Sequence, residues 1–202
     1  MTDEALMLAV RDGQVGRLGQ LFERYHMALF DFLARTTGDR AAAEDLVQDV
    51  FVRILKYRQT YRNDSRFETW VFRIARNARA DYFKSQRATE QLPEGECDVP
   101  ASGPGPAQQL ELDQDARRLR RALMQLSEDK RELLVLARYR QLKYEHIAAL
   151  LHVDQGVVKV RVHRALKELR ALFLKAADGD PKTVSGDTEW IAKRSGTDLR
   201  IV

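Results

Sequence analysis

Only one of the 202 residues is a cysteine, Cys97, which excludes a disulfide framework and a zinc site built from cysteines. No apolar run reaches the roughly 20 residues that a helix needs to cross a bilayer. The first residues also lack the basic and then apolar opening of a signal peptide. We therefore expect a cytoplasmic protein without membrane insertion. The alternation of apolar and polar residues that is typical of strands is absent as well, so the sequence predicts an all-α fold.

Catalytic and metal-binding patterns are missing too. The four histidines (His26, His146, His152 and His163) are scattered along the chain, and no phosphate-binding loop or nucleophile constellation accompanies them. We expect no enzymatic activity, no catalytic residues, no metal and no cofactor.

Charge is distributed in blocks rather than evenly. Residues 65–87 contain six basic and two acidic residues, and residues 154–175 contain the same numbers. Residues 90–115 lie between these blocks and carry seven acidic residues and no basic one. Two cationic blocks separated by an anionic one indicate two surfaces that bind a polyanion.

Proline and glycine mark the boundary between two domains. Four of the five prolines fall in residues 92–106, which contain few apolar side chains. Such a segment favours an extended, mobile linker. We therefore predict two small helical domains (1–90 and 108–176), joined by a flexible acidic linker (91–107) and followed by a C-terminal extension (177–202).

Apolar spacing places helices in the N-terminal domain. Apolar residues of 18–33 recur every three or four positions, and Asp39 is a candidate N-cap for a helix that ends near Tyr57. A further helix is expected from Asp64 or Ser65 to about Ala88. One side of that helix is apolar and includes Trp70, which fits the core better than a stacking platform. The opposite side is unusually basic.

The C-terminal domain contains a helix-turn-helix pattern. A short helix (144–151), a tight turn at His152 and Val153, and a longer helix capped by Asp154 are expected to pack around Ala148. The second helix suits the major groove of DNA. Its polar outer positions are Gln155, Lys159, Arg161, His163, Arg164 and Lys167. The residues also allow an ordinary helical hairpin with a solvated basic face. Val157 and Val160 also point outward, where they could contact DNA, the extension or a partner protein.

Four polar residues share one side of the helix after Asp39: Glu44, Asp45, Gln48 and Asp49. They suit a basic partner surface. Acidic residues near a helix N-terminus also stabilise the helix dipole by roughly 0.3–1 kcal/mol each. That second reading accounts for Glu44 and Asp45 better than for Asp49.

Three ordered segments resemble the extracytoplasmic-function (ECF) sigma factors, which are small initiation subunits of bacterial RNA polymerase. Residues 43–51 are similar to the polymerase-docking helix of that family, and residues 67–77 are similar to its promoter-melting helix. Residues 144–164 resemble its upstream-element reader, and Val-Lys-Val-Arg-Val-His-Arg-Ala at its end is similar to the family's Val-Lys-Ser-Arg-Leu-His-Arg-Ala.

The resemblance implies partners and roles for these residues. Core RNA polymerase (β′ clamp helices and β flap) and promoter DNA are the implied partners, and an anti-sigma factor is a further candidate that nothing in the sequence identifies. Glu44, Asp45, Gln48 and Asp49 correspond to the polymerase contact. The −10 contacts implied are Tyr61, Asn63, Asp64, Arg73, Arg76, Asn77 and Lys84, and the −35 contacts are the six outer residues of the last helix. The acidic linker is implied to pass through the polymerase cleft, although a generic solvated linker has the same composition.

The sequence therefore predicts a promoter-specificity subunit of RNA polymerase. A stand-alone helix-turn-helix regulator is the alternative, and a sequestering decoy that binds polymerase without reading DNA is a third possibility. The extension is either an unstructured tail or a cover for Val157 and Val160.

Overall fold

The structure is a computed structural model that describes the backbone of residues 1–89 and 106–178 and the side chains of 1–86 and 114–176. The N-terminal half contains α1 (Asp3–Arg11), α2 (Leu18–Thr37), α3 (Arg40–Tyr57) and α4 (Phe67–Thr89), with 3-10 turns at Val15–Arg17 and Arg58–Thr60. The C-terminal half contains α5 (Pro106–Gln125), α6 (Glu128–Leu134), α7 (Tyr144–Leu151) and α8 (Gln155–Asp178). A π-helical turn, Val135–Tyr139, extends α6. The described residues include no β-strand, and the all-α prediction is confirmed.

Local signals determine several helix ends. The Asp39 carboxylate accepts a hydrogen bond from the Ala42 amide at 3.1 Å, as the N-cap prediction requires. Gly38, just before it, ends α2 with φ of 82°, a left-handed conformation that glycine adopts without steric cost. The following helix, α4, begins at Phe67, two or three residues later than expected.

The core of the N-terminal half forms where α1, α2, α3 and α4 turn their apolar sides inward. Leu29, Phe32, Val50 and Phe67 are fully buried, and Trp70 is buried as predicted. Burying a large apolar side chain contributes roughly 1.5–3 kcal/mol. This packing fixes which sides of α3 and α4 are left for other contacts.

The helix-turn-helix of the C-terminal half has the predicted form. Val158, Val162 and Ala165 of α8 face inward, and Ile147 of α7 is fully buried against them. The turn depends on His152, which takes a left-handed conformation (φ 54°, ψ 46°) that a non-glycine residue seldom adopts. The orientation of α8 therefore follows from the packing of these apolar side chains between α7 and α8.

The two halves are packed against each other, which the sequence does not predict. The C-terminal part of α2 contacts α6 and the π-helical turn, α4 contacts α7, and buried residues of both halves form one apolar cluster. The approach is so close that a Cβ atom on Gly38 would lie 2.6 Å from the Cε of Met124 in α5.

The predicted linker lies outside the described residues, except that Pro106 and Ala107 already belong to α5. The predicted extension also lies outside them, except for residues 177 and 178 at the end of α8. Within the described chain, no helix is both long enough and apolar enough to span a membrane.

Candidate nucleic-acid and polymerase interface

The acidic side of α3 is largely open to a partner. Glu44 and Asp45 are adjacent and exposed, and Gln48 is exposed about one turn further along α3. Asp49 is half-buried because its carboxylate accepts a hydrogen bond from the Arg53 Nε at 2.8 Å. The structure therefore places three of the four predicted polymerase contacts on a free surface and gives the fourth an internal partner.

Arg53 connects this acidic side to α4. Its Nη1 donates a hydrogen bond to the Asp81 carboxylate at 2.7 Å. Burial alone would lower the pKa of Arg53, but its interactions with Asp81 and Asp49 outweigh burial and raise that pKa above its usual value. The bridge fixes the spacing of α3 and α4 beside a shallow cavity of about 310 Å³.

Two of the predicted −10 contacts line this cavity. Asn77 and Lys84 lie one above the other on α4 and are exposed, and Tyr57 of α3 forms the opposite wall. An amide, a cation and an aromatic ring are the groups that read a base edge, bind a phosphate and stack on a base. This part of the predicted site is open and chemically suited to single-stranded DNA.

Arg73 and Arg76 are less open than Asn77 and Lys84, and Arg76 lies against the C-terminal half. Arg73 is partly buried. The Arg76 side chain forms an ion pair with Glu132 of α6, and its Nη1 donates a hydrogen bond to the carbonyl oxygen of Leu150 at 3.4 Å. Neither side chain is freely available to DNA in this arrangement.

Glu132 binds a second arginine, Arg79, which the sequence analysis did not assign. The Arg79 Nη2 donates to the Glu132 carboxylate at 2.6 Å, and the side chains of both residues are more than nine-tenths buried. The Nε and Nη1 of Arg79 are buried without a hydrogen-bond partner. Leaving a buried donor unsatisfied costs roughly 1–3 kcal/mol, so this ion pair is incompletely compensated. The three-residue spacing of Arg73, Arg76 and Arg79 was the available signal.

A further buried arginine joins the halves beside this pair. The Arg131 Nη1 donates to the carbonyl oxygen of Thr36 in α2 at 2.9 Å, across 95 residues of sequence. Its Nε and Nη2 donate to three carbonyl oxygens near the end of α5, those of Leu123, Met124 and Leu126. Burial, with a smaller contribution from the nearby charge of Arg79, lowers the pKa of Arg131.

The loop before α4 departs from the prediction at Tyr61. Asn63 and Asp64 are exposed, but Tyr61 is 2% exposed, because its ring packs edge-on against Trp70 and Phe67. Its hydroxyl donates to the Ser65 carbonyl oxygen at 2.7 Å, and burial raises its pKa to about 12. In this conformation Tyr61 cannot stack on a base. It orders the loop that presents Asn63 and Asp64.

The outer side of α8 is available for DNA. Gln155, Lys159, Arg161, His163, Arg164 and Lys167 are all exposed. Val157 and Val160 are also exposed, at 38% and 49%. Arg161 and Arg164 extend to a cavity of about 400 Å³ between the halves, where Arg76 and Glu132 form part of the wall. Among the described side chains, no cluster of three or more histidine, cysteine or acidic residues could hold a metal ion.

Comparison with known proteins assigns both halves. Residues 21–89 match the family described as Sigma-70 region 2, and residues 116–169 match the family described as Sigma-70, region 4. The RNA polymerase sigma factor CarQ of Myxococcus xanthus is 34% identical over 164 residues, which cover 81% of this chain and 92% of that protein. The ECF RNA polymerase sigma factor RpoE of Cereibacter sphaeroides is 32% identical over 169 residues, which cover 82% of this chain and 92% of that protein.

Two solved structures resemble this one across both halves. CnrH in complex with the cytosolic domain of CnrY has a TM-score of 0.64 and 28% identity, with 88% of this chain and 98% of that chain covered. The sigma factor RpoE in complex with the anti-sigma factor NepR from Bartonella quintana has a TM-score of 0.63 and 26% identity, with 77% and 95% covered.

The two matched regions, in this order, define a transcription-initiation protein of the sigma-70 class. Within that class, the chain belongs to the ECF RNA polymerase sigma factors. It is therefore a partner of core RNA polymerase and promoter DNA and directs promoter-specific transcription initiation. A stand-alone regulator is not favoured, because the N-terminal half carries its own sigma region. Sigma factors are a non-enzymatic family.

Proposed function

We propose that the two halves of this sigma factor divide promoter recognition between them. The N-terminal half (1–90) docks on the β′ clamp helices of core polymerase and reads the −10 element. The C-terminal half (108–176) contacts the β flap and reads the −35 element. The observation that carries this proposal is that one chain exposes an acidic side on α3 and a basic side on α8, in the order of the sigma regions.

For polymerase docking, we assign Glu44, Asp45 and Gln48 as the contact residues. Asp49 belongs to the same surface, and polymerase binding requires it either to keep Arg53 or to exchange it for a basic partner residue. Charge reversal of Asp45 and Asp49 together should abolish retention of the protein by immobilised core polymerase. Asp31→Lys is the matched control, because it reverses an exposed charge on α2 outside this surface. Equal retention of both variants would contradict the assignment.

For the −10 element, we assign Asn63 and Asp64 of the loop together with Asn77 and Lys84 of α4. These four side chains are exposed in the packed arrangement. Arg73, which is partly buried, is assigned with them, and Arg76 joins them when Glu132 of the C-terminal half releases it. Tyr61 acts indirectly, since its buried ring and its hydrogen bond to Ser65 hold the loop.

For the −35 element, we assign the six exposed polar residues of α8, with the arginines as candidates for paired contacts to guanine. Run-off transcription with core polymerase on promoters from the source genome tests the whole assignment. Transcription that begins at a defined site supports it. Polymerase binding without any promoter-directed transcript would instead favour the sequestering decoy.

We infer further that the protein acts in the cytoplasm, has no enzymatic activity of its own and leaves the chemistry to core polymerase. An anti-sigma factor is a candidate partner, because the similar RpoE structure contains one. A transposon screen for insertions that raise transcription from the protein's own promoters tests for such a partner. Failure to recover any such gene would contradict this part of the proposal.

A further inference from the structure

The contact between the halves buries more positive than negative charge. Glu132 is the carboxylate that reaches Arg76 and Arg79, and Arg131 lies close enough for the charge of Arg79 to lower its pKa. Glu132 is the buried carboxylate of this group, and Glu128, which is exposed, also interacts with Arg131, so positive charge exceeds negative charge by three to two. Such an arrangement attracts an additional or a stronger anion.

The free donors of Arg79 point to the kind of anion. The guanidinium group has a planar fork of N–H donors that matches two oxygens of a carboxylate or of a phosphate equally well. Glu132 uses only the Nη2 of Arg79, and the Nε and Nη1 have no partner although the side chain is more than nine-tenths buried. A phosphodiester shares one negative charge over two non-bridging oxygens, and both oxygens can accept from the donors that Glu132 leaves unused.

Part of the site, Arg76 and Glu132, is reachable from the cavity between the packed halves, and Arg79 lies behind them. Arg76 and Glu132 both line the cavity of about 400 Å³. Arg161, Arg164 and Lys130 add positive charge to its walls, and Asp129 adds one negative charge. Lys130 already pairs with Glu168 at 2.5 Å, whereas the two arginines are exposed. An incoming strand therefore meets a positive potential before it reaches the ion pair.

We propose that Arg76 and Arg79 form a binding site for a phosphodiester of promoter DNA, and that the Glu132 carboxylate occupies this site while the halves are packed. DNA binding and opening are then one exchange, in which a phosphate replaces Glu132 and α6 withdraws from α4. This inference rests on the proposed placement of −10 DNA on α4 and assigns a DNA contact to Arg79.

The exchange can be tested on the full chain with Glu132→Gln, which removes the charge and keeps the size. A Cys97→Ser background with Met27→Cys and Ala171→Cys carries a donor and an acceptor dye, at exposed positions in different halves. We expect Glu132→Gln to lower the transfer efficiency between the dyes. We also expect it to raise the affinity for a fluorescein-labelled 20-nucleotide oligodeoxythymidylate at least fivefold. Glu23→Gln is the matched control, because it removes an exposed charge of α2 that lies outside the cavity wall, and it should change neither readout.

A second substitution identifies the phosphate site. Adding Arg79→Ala to Glu132→Gln should remove the gain in affinity and lower the slope of log affinity against log salt by about one. Opening without tighter binding would overturn the proposal. So would tight binding that survives Arg79→Ala, or a Glu132→Gln variant that neither opens nor binds more tightly.

Two further measurements test the proposal even if the Glu132→Gln variant misfolds. Glu132→Asp keeps the charge but shortens its reach, so its affinity should lie between those of the unmodified chain and Glu132→Gln. In the chain with native Glu132, the oligonucleotide itself should lower the transfer efficiency, with a midpoint that matches its binding curve. A binding curve with no accompanying change in transfer would overturn the proposal.

Run-off transcription reports on the proposed promoter reading separately. If the exchange occurs with oligodeoxythymidylate but the chain directs no promoter-specific transcript, the phosphate site stands and the −10 assignment fails. If transcription is normal and the exchange is absent, only the inference about Glu132 fails.

Discussion

Replacing Arg131 by alanine should destabilise the C-terminal half and its contact with α2. The guanidinium donates to four carbonyl oxygens, three of them near the end of α5 and one at Thr36 in α2. The last carbonyls of a helix have no partner within that helix. The Leu123 carbonyl also accepts from the Leu126 amide at 3.3 Å, so the loss of Arg131 matters most for the carbonyls of Met124, Leu126 and Thr36.

The magnitude follows from two opposing contributions. Each carbonyl left buried without a donor costs roughly 1–3 kcal/mol. Removing the guanidinium also relieves the several kcal/mol that burying a charged group costs, and water reaches some of the vacated space. We expect a net loss of about 3 kcal/mol, within the range found when a buried charged group is deleted from its network.

Urea unfolding followed by far-ultraviolet circular dichroism measures this loss, since the described chain is almost wholly helical. With a urea slope of about 2 kcal/mol per molar, the midpoint should fall by about 1.5 M. Arg138→Ala is the control, because Arg138 is exposed on the π-helical turn and its loss should stay within about 0.5 kcal/mol. A change below 1 kcal/mol for Arg131→Ala would refute the role of Arg131 as the link between the halves.

Three further predictions concern a turn, a buried hydroxyl and the recognition helix. His152→Gly should raise the free energy of unfolding by up to about 1 kcal/mol in urea titrations, because relief of strain at the left-handed turn outweighs the greater freedom of glycine in the unfolded chain; a loss would contradict this balance. Because the pKa of Tyr61 is raised to about 12, its contribution to stability is complete below pH 10 and is lost as pH rises toward 12. Tyr61→Phe should therefore make the urea midpoint fall less steeply over that range, and an unchanged slope would contradict the assignment. Arg161→Ala should relax the base preference at one −35 position by roughly 1–3 kcal/mol, whereas Lys159→Ala should weaken all sequences similarly. Run-off transcription on a set of −35 variants separates the two, and identical profiles would contradict the distinct roles.

Much of the local structure can be predicted from the sequence. Apolar spacing predicts α2, α4, α7 and α8, and Asp39 marks the start of α3 because its side chain caps a backbone amide. The helices α1, α5 and α6 are not predicted individually. The helix-turn-helix can also be predicted from the sequence, since a helix, a turn and a second helix with an inward apolar stripe lie within about thirty residues. These features depend on contacts between residues that are close in the sequence, so the sequence pattern is enough to predict them.

Tyr61 shows where a local pattern fails. An aromatic residue in a polar loop suits a base platform, but the ring packs against Trp70 and Phe67 and its hydroxyl bonds to Ser65. Loop composition gives no period from which burial could be inferred. The direction of such a side chain follows from how the loop returns to the core.

The sequence by itself determined five of the helices (α2, α3, α4, α7 and α8), the two cationic blocks and the order of the sigma regions, because each depends on residues that are close together in the sequence. Only the tertiary structure decided that Phe72 is buried on a second side of α4, that Arg131 reaches Thr36 and that Glu132 lies against Arg79. The three-residue spacing of Arg73, Arg76 and Arg79 places Arg79 with the other arginines of α4, but its partner Glu132 lies 53 positions away and nothing in the sequence pairs the two. These residues are buried because the two halves pack against each other. The sequence of a single helix does not specify which surface will cover it.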